Sequence, residues 1–343
     1  MAGEKGLVLV TGGSGYIAGF CIAQLLAEGW SVRATVRSLA RESEVRKQLS
    51  EIAPDLSKLT FAAADLNSDA GWAEAAQGCQ YVLHVASPLP LANIKNDDEL
   101  VKPARDGALR VLKAARDAGA KRVVMTASTA AIAYGHGGRK APFTEADWTD
   151  ETNLKDTSAY ERSKTIAEKA AWAWLKAEGG ALELVTINPV LVLGPVLGAD
   201  FSGSIEAIKK LLEGSFPGIP NFGWPLVDVR DVADLHLKAM TSPAAAGQRF
   251  IAGGEFWWME RIAATLRDRL GKAAAKVPTR KLPNWLIRIV GSFDPVVKER
   301  LFELGKERPV SIDKARTVLG WQPRSNEEAV MATAESLIAH GLV

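Results

Sequence analysis

The chain has 343 residues, of which 47% are hydrophobic and 24% charged, with a formal net charge of +2. That length exceeds a minimal domain, suits one large domain or two smaller ones, and supplies ample apolar material for a core. The near-neutral charge argues against a nucleic-acid partner held by a broad basic field, the four histidines lack metal-ligand spacing, and no apolar run is long enough to span a membrane.

Cys21 and Cys79 belong to no CxxC motif and are expected as buried thiols in a reducing compartment. Residues 1–6 are short, polar and charged, without a signal-peptide pattern. A cytoplasmic monomer or homodimer with a small-molecule substrate is the expectation.

The first predicted elements are a strand over residues 6–10 and a helix over 17–28. Between them runs Thr11-Gly12-Gly13-Ser14-Gly15-Tyr16-Ile17-Ala18, with GxxGxxA spacing. Gly12 permits a tight turn. Gly15 lets a pyrophosphate approach the helix N-terminus, where free amides and the helix dipole favour an anion. Ala18 is small enough for close helix–strand packing. Thr11, Gly12, Gly15, Tyr16 and Ile17 are therefore expected at the phosphates of a dinucleotide.

A second strand over 31–36 ends in Thr35-Val36-Arg37-Ser38. An acid at this tip would accept hydrogen bonds from the adenosine ribose, whereas Arg suits a 2′-phosphate. Arg37 and Ser38 thus predict a preference for NADP(H) over NAD(H). Basic residues further on, such as the 41–47 stretch, alternate with acids and suit a solvated helix face. The third strand, 59–64, ends at Asp65, which can either meet the adenine amino group or cap the following helix.

Strands over 81–86, 122–127 and 182–188 alternate with helices over 101–118 and 159–175. Strands apolar on both faces and separated by helices imply a parallel sheet covered on both sides, a doubly wound α/β (Rossmann) architecture. The strand over 122–127 leads into Ser128, and the helix after it carries Tyr160 and Lys164, four apart and so on one face. Carbonyl reduction needs a proton for the developing alkoxide. Tyr160 can supply it, Lys164 can lower the tyrosine pKa and bind ribose hydroxyls, and Ser128 can hold the substrate oxygen.

After Pro189 glycine and proline become frequent through 194–225, and helices are predicted over 257–270, 285–291, 314–319 and 327–340. The domain reading is a dinucleotide-binding domain over 1–190. A smaller substrate lobe over 191–343 follows, laid over the carboxyl ends of the strands, with a segment near 226–255 returning to the first domain. Candidate substrate walls are Pro88, Leu89, Tyr134, Phe143, Phe201 and Trp224; with few charges among them, an apolar or aromatic carbonyl compound is expected. Trp257 and Trp258 are expected to pack rather than line the pocket.

The motifs together resemble an extended short-chain dehydrogenase/reductase nearly end to end. They are the glycine turn, His84-Val85-Ala86-Ser87-Pro88, Thr126-Ala127-Ser128, Tyr160-Glu161-Arg162-Ser163-Lys164, Asn188-Pro189 and the tail Leu319-Gly320-Trp321-Gln322-Pro323. Within that superfamily the chain is most similar to the dihydroflavonol 4-reductase, cinnamoyl-CoA reductase and yeast-type carbonyl reductase group. The resemblance implies NADPH, with Arg37 at the 2′-phosphate, Pro189 near the nicotinamide carboxamide, and Ser204 at a cofactor phosphate. Asp65, Leu66, Val85, Ala86, Ser87 and Val192 complete the implied cofactor set. It also implies hydride transfer to a ketone or aldehyde. Where the plant flavonoid reductases hold the catechol ring with asparagine this chain has Ala133, and residues 154–159 lack the cinnamoyl-CoA reductase block. The resemblance therefore points to a microbial aldehyde or ketone reductase. Two rival readings are a sugar-nucleotide epimerase or dehydratase and a non-catalytic dinucleotide sensor.

Overall fold

The computed structural model describes residues 5–88, 96–138, 141–198 and 203–343. The first half alternates β1 (Leu7–Val10), α1 (Tyr16–Ala27), β2 (Ser31–Val36), α2 (Glu42–Leu49), β3 (Leu59–Ala63), α3 (Trp72–Ala76), β4 (Cys79–His84), α4 (Asp98–Asp117), β5 (Arg122–Thr126), α5 (Ala159–Glu178) and β6 (Glu183–Pro189). The second half carries β7 (Leu191–Leu193), α6 (Gly203–Glu213), β8 (Gly223–Asp228), α7 (Val229–Thr241), β9 (Arg249–Ala252), β10 (Phe256–Trp258), α8 (Met259–Leu270), α9 (Asn284–Val290), α10 (Pro295–Arg300), α11 (Asp313–Leu319) and α12 (Asn326–Ala339).

Among the described residues the strands form two sheets. The larger has seven strands in the order β3-β2-β1-β4-β5-β6-β9, every neighbouring pair parallel. This is the doubly wound Rossmann-like α/β sheet expected, because strand alternation gives each face an apolar row to bury. Val8 and Val10 of β1 pack with Ile22 and Leu25 of α1 and Val232 and Leu235 of α7. Leu9 points the other way and packs with Val111 and Leu112 of α4 and Ala171 of α5.

The smaller sheet orders β10-β8-β7, with β7 and β8 parallel and β8 and β10 antiparallel. It shares a separate core with α6, α8 and α12, built on Ile208, Leu211, Leu226, Trp257, Ile262 and Val330. The glycine- and proline-rich stretch around 194–225 thus contains the helix α6 and the start of β8, where irregular chain is expected from composition. Trp257 is buried in this core, in strand β10 rather than in the helix. No helix among the described residues is long and apolar enough to cross a membrane.

Candidate active site

The glycine turn leaves β1 with Gly12 at φ +70, a left-handed conformation that a side chain resists. A Cβ at Gly12 would also stand 3.1 Å from the Ala86 Cα. Thr35 holds the turn from β2: its hydroxyl accepts from the Gly12 amide at 3.0 Å and its carbonyl from the Gly13 amide at 2.7 Å. Gly13, overlooked in the motif, is required because a Cβ there would meet the Ala34 Cβ at 2.7 Å. Gly15 is the N-cap of α1 and offers no side-chain cap, so the first amides of the helix face an open side of the turn. Gly12→Val should therefore weaken cofactor binding and destabilise the fold by about 1–3 kcal/mol of backbone strain. Calorimetric NADPH titration and a denaturant midpoint check this; a variant matching wild type in both would contradict the role given to the turn.

Thr11 Oγ1 accepts from the Ala86 amide at 3.0 Å and shares a 2.9 Å hydrogen bond with His84 Nδ1, tying β1 to the end of β4. Burial, with Lys164 nearby, pulls the His84 pKa down to about 3, so the imidazole is neutral. Tyr16 turns its ring into the junction of the two cores, edge-on to Phe20, and its buried hydroxyl has no partner among the described residues. Ile17 packs partly buried against the sheet core.

At the tip of β2, Arg37 and Ser38 are both exposed, and the Ser38 hydroxyl accepts from the Ala40 amide. Arg41 reaches the glycine turn, donating to Ser14 Oγ at 3.3 Å while pairing with Glu44. Its alternation with acids suits a solvated face by sequence; its bond to Ser14 puts a cation beside the turn. Asp65 caps no helix. Its carboxylate accepts from the Asn67 backbone and side chain, forming a local turn, whereas α3 begins after Gly71.

Ser128 lies just beyond β5, where its hydroxyl accepts from the Ala130 amide at 3.1 Å. The Asn188 side-chain amide donates to its carbonyl at 3.1 Å, and the Thr129 hydroxyl donates to the Pro189 carbonyl at 3.2 Å, fastening β5 to β6. A capping box starts α5: the Ser158 amide donates to Glu161 Oε2 at 2.8 Å, and the Ser158 hydroxyl takes the reciprocal bond. That box fixes the helix turn bearing Tyr160, whose pKa the nearby Ser128 lowers in part against burial. Lys164, one turn further, donates to Ser87 Oγ at 2.8 Å and lies 5.9 Å from the Tyr160 ring centre.

The electrostatics differ from expectation at one point. Burial raises the Tyr160 pKa, and the neighbouring Ser128 side chain only partly opposes it. Burial outweighs the lowering that the spacing of Lys164 suggests. The pKa of Lys164 itself is brought down by burial to about 8, against the pull of Glu168. Glu168, a further turn along α5, is wholly buried and accepts from Thr186, Asn188 and Arg249 at 2.7–2.8 Å. Its position four residues after Lys164 was the available signal for this missed carboxylate.

Two clefts flank these groups. One gathers Leu66, His84, Ala86, Ser87, Pro88 and Lys164 among its walls. The other is lined by Thr129, Ala133, Tyr134 and Trp224 and by Glu303 and Arg308. Tyr134 and Trp224 are thus together, while Pro88 sits with the expected cofactor residues. Phe143 is fully buried in the core and lines neither cleft. Leu89 and Phe201 lie outside the described residues. Val85 is half-buried just after β4, Pro189 and Val192 are buried in β6 and β7, and Ser204 is the second residue of α6. The expectation of few charges around Tyr134 fails because the Phe143–Val310 bridge returns the segment near residue 300 to it.

The NAD dependent epimerase/dehydratase family model matches residues 8–253. The chain is 34% identical over 273 residues to a dihydroflavonol 4-reductase of Zea mays, covering 78% of this chain and 75% of that one. It is 38% identical over 254 residues to a cinnamoyl-CoA reductase of Medicago truncatula, covering 71% and 74%. A yeast methylglyoxal/isovaleraldehyde reductase structure, complexed with NADPH, superposes with a TM-score of 0.80 at 25% identity, covering 98% of this chain and all (100%) of the other. The glycine turn, the serine–tyrosine–lysine set and these likenesses agree: the chain belongs to the NAD dependent epimerase/dehydratase family, the extended short-chain dehydrogenases/reductases.

Proposed function

We propose that the protein is an NADPH-dependent reductase that converts a ketone or aldehyde to the alcohol. The observation that carries this reading is the meeting of Ser128 with Tyr160, whose pKa it lowers against burial, with the Lys164 ammonium 5.9 Å from the Tyr160 ring centre. The surrounding residues suit a dinucleotide phosphate. Gly12 tolerates no side chain, the α1 N-terminus is uncapped by any side chain, the Arg41 guanidinium reaches Ser14 of the turn, and Arg37 stands exposed at the tip of β2.

NADPH, when bound, supplies the hydride. Ser128 donates to the substrate oxygen and keeps it within reach of Tyr160, which gives up its proton as the alkoxide develops. A phenol held protonated by burial is the form that reduction requires. Lys164 stabilises the phenolate left behind, and its Nζ–H groups beyond the Ser87 contact are available to ribose hydroxyls. Asn188 and Glu168 hold the Ser128 backbone and the β6 end in place.

Oxidation of NADPH and NADH across aryl aldehydes, diketones and hydroxyketones tests the reading. NADPH is expected to be the better cofactor, and Arg37→Ala should lower its kcat/KM by about 10–100-fold, the worth of a charged hydrogen bond. A preference for NADH would sink the cofactor assignment. Inactivity on the whole panel with turnover of a nucleotide sugar would replace reduction by epimerisation.

A further inference from the structure

Four of the nine large hydrophobic side chains exposed among the described residues stand together in one short segment: Trp285, Ile289, Val290 and Phe293. Single exposed apolar residues are ordinary, but a cluster calls for a cover. The geometry of α9 produces it. Ile287 is buried, and a Cβ on Gly291, four residues on, would meet Leu301 at 2.8 Å, so that row faces inward. Trp285, Arg288 and Ile289 fall at i, i+3 and i+4 and share the outward face.

The charges around this face have one sign. Residues 272–298 carry six cations, Lys272, Lys276, Arg280, Lys281, Arg288 and Lys298, against the single acid Asp294. That is a net +5 in a chain whose total is +2. All six cations are exposed. Lys281 pairs with Glu260, and the other five make no ion pair among the described residues. The strip is fixed to the small lobe: the Ile219 amide donates to the Arg280 carbonyl at 2.7 Å, and the Leu282 amide donates to the Ile219 carbonyl at 2.8 Å.

Charge and exposure decide what covers the face. A second copy meeting it about a two-fold axis would set +5 against +5, which like-charge repulsion opposes. Phe293 is 85% exposed, so no protein wall stands beside its ring and no groove is formed there for a rigid partner. Apolar rings among unpaired cations match instead an anionic lipid surface. There the rings enter the boundary between headgroups and acyl chains, and the cations meet lipid phosphates and carboxylates. With seven residues, α9 can lie on such a surface but is too short to cross it.

We infer that the α9–α10 face docks this protein peripherally on membranes rich in anionic lipid. The inference is independent of the reductase reading.

The test sediments the full chain with vesicles of phosphatidylcholine alone and of phosphatidylcholine containing about 30% phosphatidylserine, at about 0.1 M and about 1 M salt. Binding to the anionic vesicles should be about 10-fold or more tighter than to neutral ones at the lower salt, and mostly lost at the higher. Combining Trp285→Ser with Phe293→Ser should weaken it about 10–100-fold. Combining Arg288→Gln with Lys298→Gln should weaken it about 30-fold. Urea midpoints should stay near wild type, because all four side chains are exposed. The wild-type comparison stands whether or not the variants fold. No binding to anionic vesicles, or equal binding to neutral ones, overturns the inference. So does binding that survives loss of both aromatic rings, which would make the strip a site for any polyanion, an acidic protein included. A dimer in light scattering that the same two substitutions dissociate would give the face to a second copy and overturn it as well.

Discussion

Tyr160→Phe should lower kcat/KM for carbonyl reduction by about 10²–10⁴-fold, the range for loss of a positioned general acid, while NADPH still binds. The phenylalanine ring keeps the packing of the first turn of α5, and the Lys164–Ser87 hydrogen bond does not involve the phenol. What is lost is the proton beside Ser128. The pH dependence gives a second readout. Burial brings the Lys164 pKa to about 8, so its ammonium is present below that value and lost as pH rises through it. Wild-type kcat/KM should therefore fall on the alkaline side of about pH 8 in the free enzyme. Full activity in Tyr160→Phe, measured by NADPH oxidation, would remove Tyr160 from the chemistry.

The largest effect on stability is expected at Arg249. Its guanidinium pairs with Glu168, which is 0% exposed, and donates to the carbonyls of Glu145 and Asp147 while stacking 3.7 Å from the Trp148 ring centre. Arg249→Met leaves the Glu168 charge buried without its counter-ion, a loss of about 3–5 kcal/mol. Glu168→Gln should also destabilise, but the double variant should be less unstable than Arg249→Met alone, since no bare charge remains. Urea midpoints at constant m-value measure both. A single-variant loss below about 1 kcal/mol would show the pair to be solvated, contrary to this burial.

The larger sheet was legible because its signals are local. Val8, Val10, Val32 and Val36 alternate or cluster within single strands, and a glycine turn or a tyrosine–lysine pair four apart spans only one element. β7, β8 and β10 are three to six residues long and lie among glycines and prolines, too short for a period to emerge. α6 did carry a helical row, Ile205, Ile208, Leu211 and Leu212, masked by the breakers around it. Site residues divide the same way. Ser128, Tyr160 and Lys164 are placed by their own strand or helix, whereas Glu303 and Arg308 reach Tyr134 only through tertiary folding. No local pattern announces such a meeting. Arg41 was obscured differently, since its neighbouring acids suit an exposed helix equally well.

The chain leaves the large sheet at Pro189 and returns to it only with β9, which begins at Arg249. On the ribosome the amino-terminal half emerges first. Until the returning strand is made, the edge of β6 is bare and the Glu168 carboxylate has Thr186 and Asn188 but not its ion-pair partner Arg249. Closing that long excursion adds little entropy beyond a shorter one, but it cannot occur before its last residue exists. The nucleotide-binding half is therefore consolidated late in synthesis, by a strand encoded beyond most of the small sheet it has to pass.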